Sequence, residues 1–126
     1  MHPKEIENIL KLNPFDRYQY FIRKIADWEI AYTLIFPDGN YAISIIDDKK
    51  LLPIWSAKEF AELTKNDGWE NCEVLELTFD DFEETLFDYI DENNLLINVF
   101  PTDKTGFVVN LEEFARDLKD ELEQYQ

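Results

Sequence analysis

Apolar residues spaced three and four apart predict five helices along the chain. These stretches are HPKEIENILKL, NPFDRYQYFIRKIADWE, SAKEFAELTK, TFDDFEETLFDYIDENN and NLEEFARDLKDELEQY. Four of them open on a residue that suits the N-cap, namely Asn13, Ser56, Thr78 and Asn110. Glu59 stands three residues after Ser56 and would complete a capping box there.

Alternating or short apolar runs predict six strands between these helices. They are EIAYTLIF, YAISII, LLPIW, CEVLEL, LLINVF and FVV. The sequence PDGN favours a tight turn between the first two strands, and Pro53 is typical of a short or edge strand. The order ααβββαβαββα predicts a single α+β domain over residues 1–126. Short connections favour a mostly antiparallel meander sheet of five to six strands, packed by helices.

Length and composition set limits on the class of protein. The chain has 126 residues, of which 45% are hydrophobic and 15% aromatic, so a core can form without disulfides or metal. Cys72 is the one cysteine and has no intramolecular partner, which favours a reducing compartment. The N-terminal sequence lacks a signal-peptide pattern, and no apolar run is long enough to span a membrane. We therefore expect a cytoplasmic protein.

The net charge of −16 is concentrated in the middle of the chain. Residues 66–103 contain twelve acidic residues and no Lys or Arg. Such a field repels nucleic-acid phosphates and anionic membranes, so we expect neither as a partner. It attracts a basic protein, or it serves only solubility; the charge pattern leaves both interpretations open.

The acidic stretch from Thr78 to Asn94 combines an apolar side with a row of carboxylates. Its aromatic and aliphatic residues recur at helical spacing and face inward. The opposite row consists of Asp80, Glu84, Asp88 and Glu92. Like charges four residues apart repel by roughly 0.2–0.5 kcal/mol per pair, and no base in the segment offsets them. This favours a binding surface for a basic partner, with Phe87 near its boundary, as in immunity-like or adaptor-like proteins that bind without catalysis.

Tyr20 is a second candidate for partner binding. Asp16, Arg23 and Asp27 share its side of the second predicted helix, and Arg17 is close. An exposed tyrosine among charged residues is typical of a binding hot spot. The alternative interpretation is an amphipathic tyrosine that lies on its neighbours.

The residue types exclude most familiar catalytic sites. His2 is the one histidine, so triads and multi-histidine metal sites are not expected, and three glycines do not form a phosphate-binding loop. We predict no catalytic residue, metal site or cofactor. Two alternatives stay open. One is an enzyme that uses carboxylate, Tyr and Arg groups in a sheet–helix cleft near Arg17, Trp55 and Trp69. The other is a homo-oligomeric structural protein, with monomer and homodimer both compatible.

Three stretches resemble a known family. FDRYQYFIRKIADWE, LPIWSAKEFAEL and VFPTDKTGFVVNLEEFARDL are similar to the bacterial domain of unknown function 2750 family. The resemblance implies a small single-domain protein of bacterial origin. It implies no reaction and supplies no catalytic residues.

Overall fold

The computed structural model describes residues 2–65, 68–102 and 106–124, and its elements follow the predicted order. The helices are α1 (Pro3–Leu10), α2 (Pro14–Trp28), α3 (Lys58–Leu63), α4 (Phe79–Asp81), α5 (Phe87–Glu92) and α6 (Leu111–Glu123). A π-helical segment, Phe82–Leu86, joins α4 to α5. The strands are β1 (Ile30–Ile35), β2 (Ser44–Ile46), β3 (Lys49–Ile54), β4 (Glu73–Thr78), β5 (Leu96–Val99) and β6 (Phe107–Val109).

Three of the four predicted N-caps are confirmed. Asn13 accepts a hydrogen bond from the Asp16 backbone N–H at 2.9 Å, and both Thr78 and Asn110 form complete capping boxes. The prediction for Ser56 is wrong, because Ala57 is the N-cap of α3 and makes no side-chain capping bond. The Ser56 hydroxyl therefore does not cap this helix.

The predicted single meander sheet is wrong, although the α+β class is confirmed. Strands β1 and β4 form an antiparallel pair, and β2-β3-β5-β6 form a mixed sheet in which β3 and β5 run parallel. After the turn at Gly39, the chain pairs with β1 only briefly. Tyr41 forms a bridge with Ile35, and the Ala42 N–H donates to the Leu34 carbonyl. It then crosses to β3. The edge of β1 that faces away from β4 is bonded at Tyr32 by Trp55, at the end of β3, rather than by a longer pairing with β2.

The expected edge position of Pro53 is also wrong, because β3 lies between β2 and β5. The Pro53 carbonyl accepts a hydrogen bond from the Thr33 hydroxyl at 2.7 Å, on the side of β3 away from β5. The backbone nitrogen and carbonyl of one strand residue point to the same side. The missing N–H of Pro53 therefore faces β1, where no ladder bond is lost.

Trp55 joins the two sheets at the centre of the core. It exchanges two backbone hydrogen bonds with Tyr32 of β1, at 2.9 and 2.8 Å. Its side chain is 0% exposed, and its indole N–H donates to the Pro101 carbonyl at 2.9 Å. One residue therefore ties β1, the end of β3 and the segment after β5 together.

No helix within the three described ranges is both long enough and apolar enough to cross a membrane.

Candidate functional site

The acidic helix consists of α4, the π segment and α5 in direct succession. Within the π segment the Phe87 backbone N–H donates to the carbonyl of Phe82, five residues earlier. This wider turn was not predicted, since the apolar spacing alone suggested a regular α-helix. Segments of this kind add a residue to one turn and often occur at functional positions.

The inward side of the acidic helix matches the prediction. Phe82, Leu86 and Ile90 are buried. Phe87, the residue after the π segment, is half-buried and packs on Phe82 and Phe114, with ring centroids 5.7 and 6.3 Å apart. The wider turn therefore brings both Leu86 and Phe87 against the core.

The outward carboxylates form an acidic surface, defined here as Asp80, Glu84, Asp88 and Glu92. All four side chains are exposed. The ion pairs found among the described residues join Lys11 to Glu7, Lys65 to Glu62 and Arg116 to Asp117, and none of them reaches this surface. Because Glu84 lies in the π segment, the four residues follow a bent path rather than one straight ridge.

Tyr20 lies apart from the acidic surface and is half-buried rather than exposed. Its ring meets Phe100 edge-on at 6.3 Å, and the Lys24 ammonium lies 5.6 Å from its centroid. Arg17, expected beside it, is buried, with its guanidinium donating to the Leu12 carbonyl at 2.5 Å. Tyr20 is therefore less exposed than expected, and its role in partner binding stays a prediction.

The Tyr20 hydroxyl is shielded from solvent and has no hydrogen-bond partner among the described residues. Burial, followed by the nearby Glu5 carboxylate, raises the pKa of Tyr20 to about 12. The hydroxyl therefore keeps its proton across the physiological range and is a neutral donor and acceptor. The Ser56 hydroxyl is likewise buried without a partner in the described part of the chain.

Tyr20 and Ser56 are both lining residues of one cavity of about 410 Å³, which we call the hydroxyl pocket. It is lined by Glu5, Tyr20, Lys24, Trp28, Ile30, Tyr32, Ser56, Ala57, Lys58, Glu59 and Glu76. Sequence reasoning missed this pocket because its members come from α1, α2, β1, α3 and β4. The one local signal was Ser56, which was read as a helix cap.

The cleft predicted near Arg17, Trp55 and Trp69 is not assembled as expected. Arg17 lines a cavity of about 620 Å³ with residues of α1, α3 and the segment around Pro101. Trp55 is fully buried with its N–H bonded, and Trp69 is half-buried elsewhere. The described lining of this cavity contains no carboxylate.

The described residues contain no group of three or more His, Cys, Asp or Glu side chains placed to hold a metal ion. Cys72 is buried, and that burial is the main cause that raises the pKa of its thiol. The Lys65 ammonium acts in the opposite direction, and burial outweighs it.

The chain belongs to a protein family, since the model described as "Protein of unknown function (DUF2750)" matches residues 18–118. No match was found among curated proteins. Among solved structures, Tic22 from Plasmodium falciparum matches with 11% sequence identity and a TM-score of 0.43. That match covers 66% of this chain and 48% of the other, so the chain spans about half the length of that protein.

Removal of the Tyr20 or Ser56 hydroxyl is expected to leave stability intact. Tyr20→Phe and Ser56→Ala each delete a group that has no protein hydrogen bond, so the free energy of unfolding should stay within about 0.5 kcal/mol of wild type or rise. The matched control is Tyr18→Phe, which loses a 2.6 Å bond to Asp117 and should cost about 1–2 kcal/mol. Urea denaturation of the three variants measures this. Equal losses at Tyr18 and Tyr20 would contradict the bonding assigned to Tyr20.

Charge reversal at the two ends of the acidic helix is expected to act in opposite directions. Glu92→Lys puts a cation at the C-terminal end of the helix dipole and four residues after Asp88, so it should stabilise by about 1 kcal/mol at low salt. Asp80→Lys makes the same change in net charge at the N-terminal end and should not. Thermal unfolding at low and high salt measures both, and the difference should shrink at high salt. Equal stabilisation by the two variants would show that only net charge matters.

Proposed function

We propose that this member of the DUF2750 family is a non-enzymatic binding module that docks a basic protein through its acidic surface. The observation that carries the proposal is that Asp80, Glu84, Asp88 and Glu92 are exposed and lie outside every ion pair found among the described residues. Neither a nucleic acid nor an anionic membrane fits this surface, because each would bring further negative charge.

The physical argument rests on charge that the fold leaves uncompensated. Asp80 and Asp81 meet the positive end of the helix dipole and are stabilising there. Asp88, Asp91 and Glu92 lie toward the negative end, where each is unfavourable. A surface selected for solubility alone gains nothing from this placement, whereas a cationic partner relieves it on binding.

Such a surface acts mainly on the rate and specificity of association. A concentrated negative field steers a basic partner toward the helix and lowers the encounter barrier, with a strong dependence on ionic strength. Phe87, half-buried beside the carboxylates, supplies apolar area next to the charged row. Tyr20 lines a cavity that contains no residue of the acidic helix, so the acidic surface is defined without it.

The test compares two charge-reversal variants with equal net charge. The first is the double variant Glu84→Lys and Asp88→Lys, which reverses two charges of the acidic surface. Asp120→Lys with Glu123→Lys makes the same change in total charge on exposed residues at the end of α6. Each immobilised protein is used to capture partners from an extract of the source organism, and the association rate of any captured protein is then measured against salt.

We expect wild type and the α6 variant to retain a partner that the acidic-surface variant loses. Its association rate should fall steeply as salt rises. Equal loss with both variants would reduce the effect to net charge. Retention by all three proteins would place the interface elsewhere and remove the proposal.

A further inference from the structure

The four-stranded sheet ends at β2, Ser44–Ile46, and we call the open side of this strand the β2 edge. The turn from β2 to β3 consists of Asp47 and Asp48, whose φ angles of 52° and 66° are both positive. Two such residues in succession form a type I′ hairpin turn. The pair that flanks a turn of this kind is hydrogen-bonded, and here it is Ile46 with Lys49.

The backbone polar groups of Ile45 point out of the sheet at this edge. Bonded and non-bonded pairs alternate along an antiparallel ladder, so Ile45 and Lys50 form a non-bonded pair. The Pro53 carbonyl supports this assignment, because it points away from β5 and fixes which residues of β3 bond to β2. No backbone bond from Ile45 to another element is found in the described parts of the chain. Its N–H and C=O are therefore available to an added strand.

The side chains of the β2 edge are apolar and uncovered on both faces of the sheet. Ile45 is 69% exposed and Ile46 is 52% exposed, and neighbouring residues of a strand point to opposite faces. The strand β4, at the end of the two-stranded sheet, instead carries the exposed residues Glu73 and Glu76. Charged side chains of this kind keep a free edge from pairing with another chain, and β2 contains none.

The hairpin is the neutral part of a strongly acidic chain. From residue 39 to residue 57 the charged residues are Asp47, Asp48, Lys49 and Lys50, two acids and two bases, whereas the whole chain carries −16. A basic protein is drawn to the acidic surface rather than to this edge. A second copy is repelled by the acidic surface but meets no net charge at the hairpin. The edge thus suits an uncharged extended strand on an acidic protein, and β2 itself has both properties.

We propose that β2 pairs with β2 of a second copy, so that the two four-stranded sheets join into one continuous sheet. A two-fold axis perpendicular to the sheet keeps each face, so a residue can meet only residues that point to its own face. The register that pairs all three residues places Ile45 opposite the partner's Ile45 and Ile46 opposite the partner's Ser44. The two Ile45 residues exchange two backbone hydrogen bonds. The Lys50 stems flank the isoleucine pair, since Lys50 lies beside Ile45 on the same face.

The size and charge of this contact determine how the dimer responds to conditions. Three residues on each side make a small interface, and interfaces below about 1,200 Å² are weak and transient. The net charge of −16 on each copy opposes association, so salt should strengthen the dimer by screening. Salt acts in the opposite direction on the docking of a basic protein. The inference does not depend on the proposed docking function, and each can fail without the other.

The test is sedimentation velocity of the full chain from about 10 µM to about 1 mM, at low and at high salt, where a weak interface becomes populated. Exchange of the Ile45 backbone amide is followed by NMR over the same range. Ile45→Lys places a charge at the centre of the β2 edge. Val108→Lys is the matched control, because Val108 is 44% exposed in β6, at the other end of the same sheet. Ile45→Val keeps a β-branched apolar side chain, and circular dichroism checks that each variant is folded.

We expect a monomer–dimer equilibrium that shifts toward the dimer as salt rises, with slower exchange of the Ile45 amide at higher protein concentration. Ile45→Lys should raise the dissociation constant by about tenfold or more, because the isoleucine contact is lost and two like charges face each other. Val108→Lys and Ile45→Val should each change it by about twofold or less, since neither places a charge at the β2 edge.

Three results would overturn the proposal. The first is a monomer at every concentration and salt, which would leave the β2 edge to solvent or to a strand of another protein. The second is a dimer that Ile45→Lys leaves intact or that Val108→Lys weakens equally. The third is a dimer in which exchange of the Ile45 amide does not depend on concentration, which would place the interface elsewhere.

Discussion

The hydrogen bonds of Trp55 are the interaction on which the rest of the structure depends. Trp55 is fully buried; its backbone pairs with Tyr32 of β1, and its indole N–H donates to the Pro101 carbonyl beyond β5. These backbone bonds connect the β1–β4 pair to the end of β3 in the four-stranded sheet. The backbone N–H and the indole N–H of Trp55 are both buried. If their hydrogen bonds were broken, these groups would be left unsatisfied in the core, which costs more free energy than the loss of a surface bond.

This junction also explains why two unlike surfaces coexist in so short a chain. On one side it fixes Tyr32 and the adjacent Ser56 in the wall of the hydroxyl pocket. On the other side β1 pairs with β4, whose last residue, Thr78, caps the acidic helix. The pocket and the acidic surface are thus held by the same central bridge, yet they differ in charge and share no lining residue.

Local sequence signals were sufficient for the elements and insufficient for their pairing. Asn13, Thr78 and Asn110 each bond to a backbone N–H three residues away, so their caps could be predicted. The pairing of β1 with β4, and of β2 with β3 in a separate sheet, depends on contacts between residues distant in sequence, and a period-two pattern does not encode it. The same limit applies to the candidate sites. The outward carboxylates follow from helical spacing, whereas the hydroxyl pocket needs five separate elements to meet. The π segment escaped prediction because Leu86 and Phe87 fit an α-helix almost equally well.

Native-state hydrogen exchange at the junction tests the central claim most directly. If Trp55 holds the two sheets together, the backbone amides of Tyr32 and Trp55 and the Trp55 indole N–H should exchange only through global unfolding. Their opening free energy should then equal the free energy of unfolding from denaturant titration. Exchange of these three groups through a local opening of much lower free energy, while amides of the β1–β4 ladder stay protected, would contradict the account.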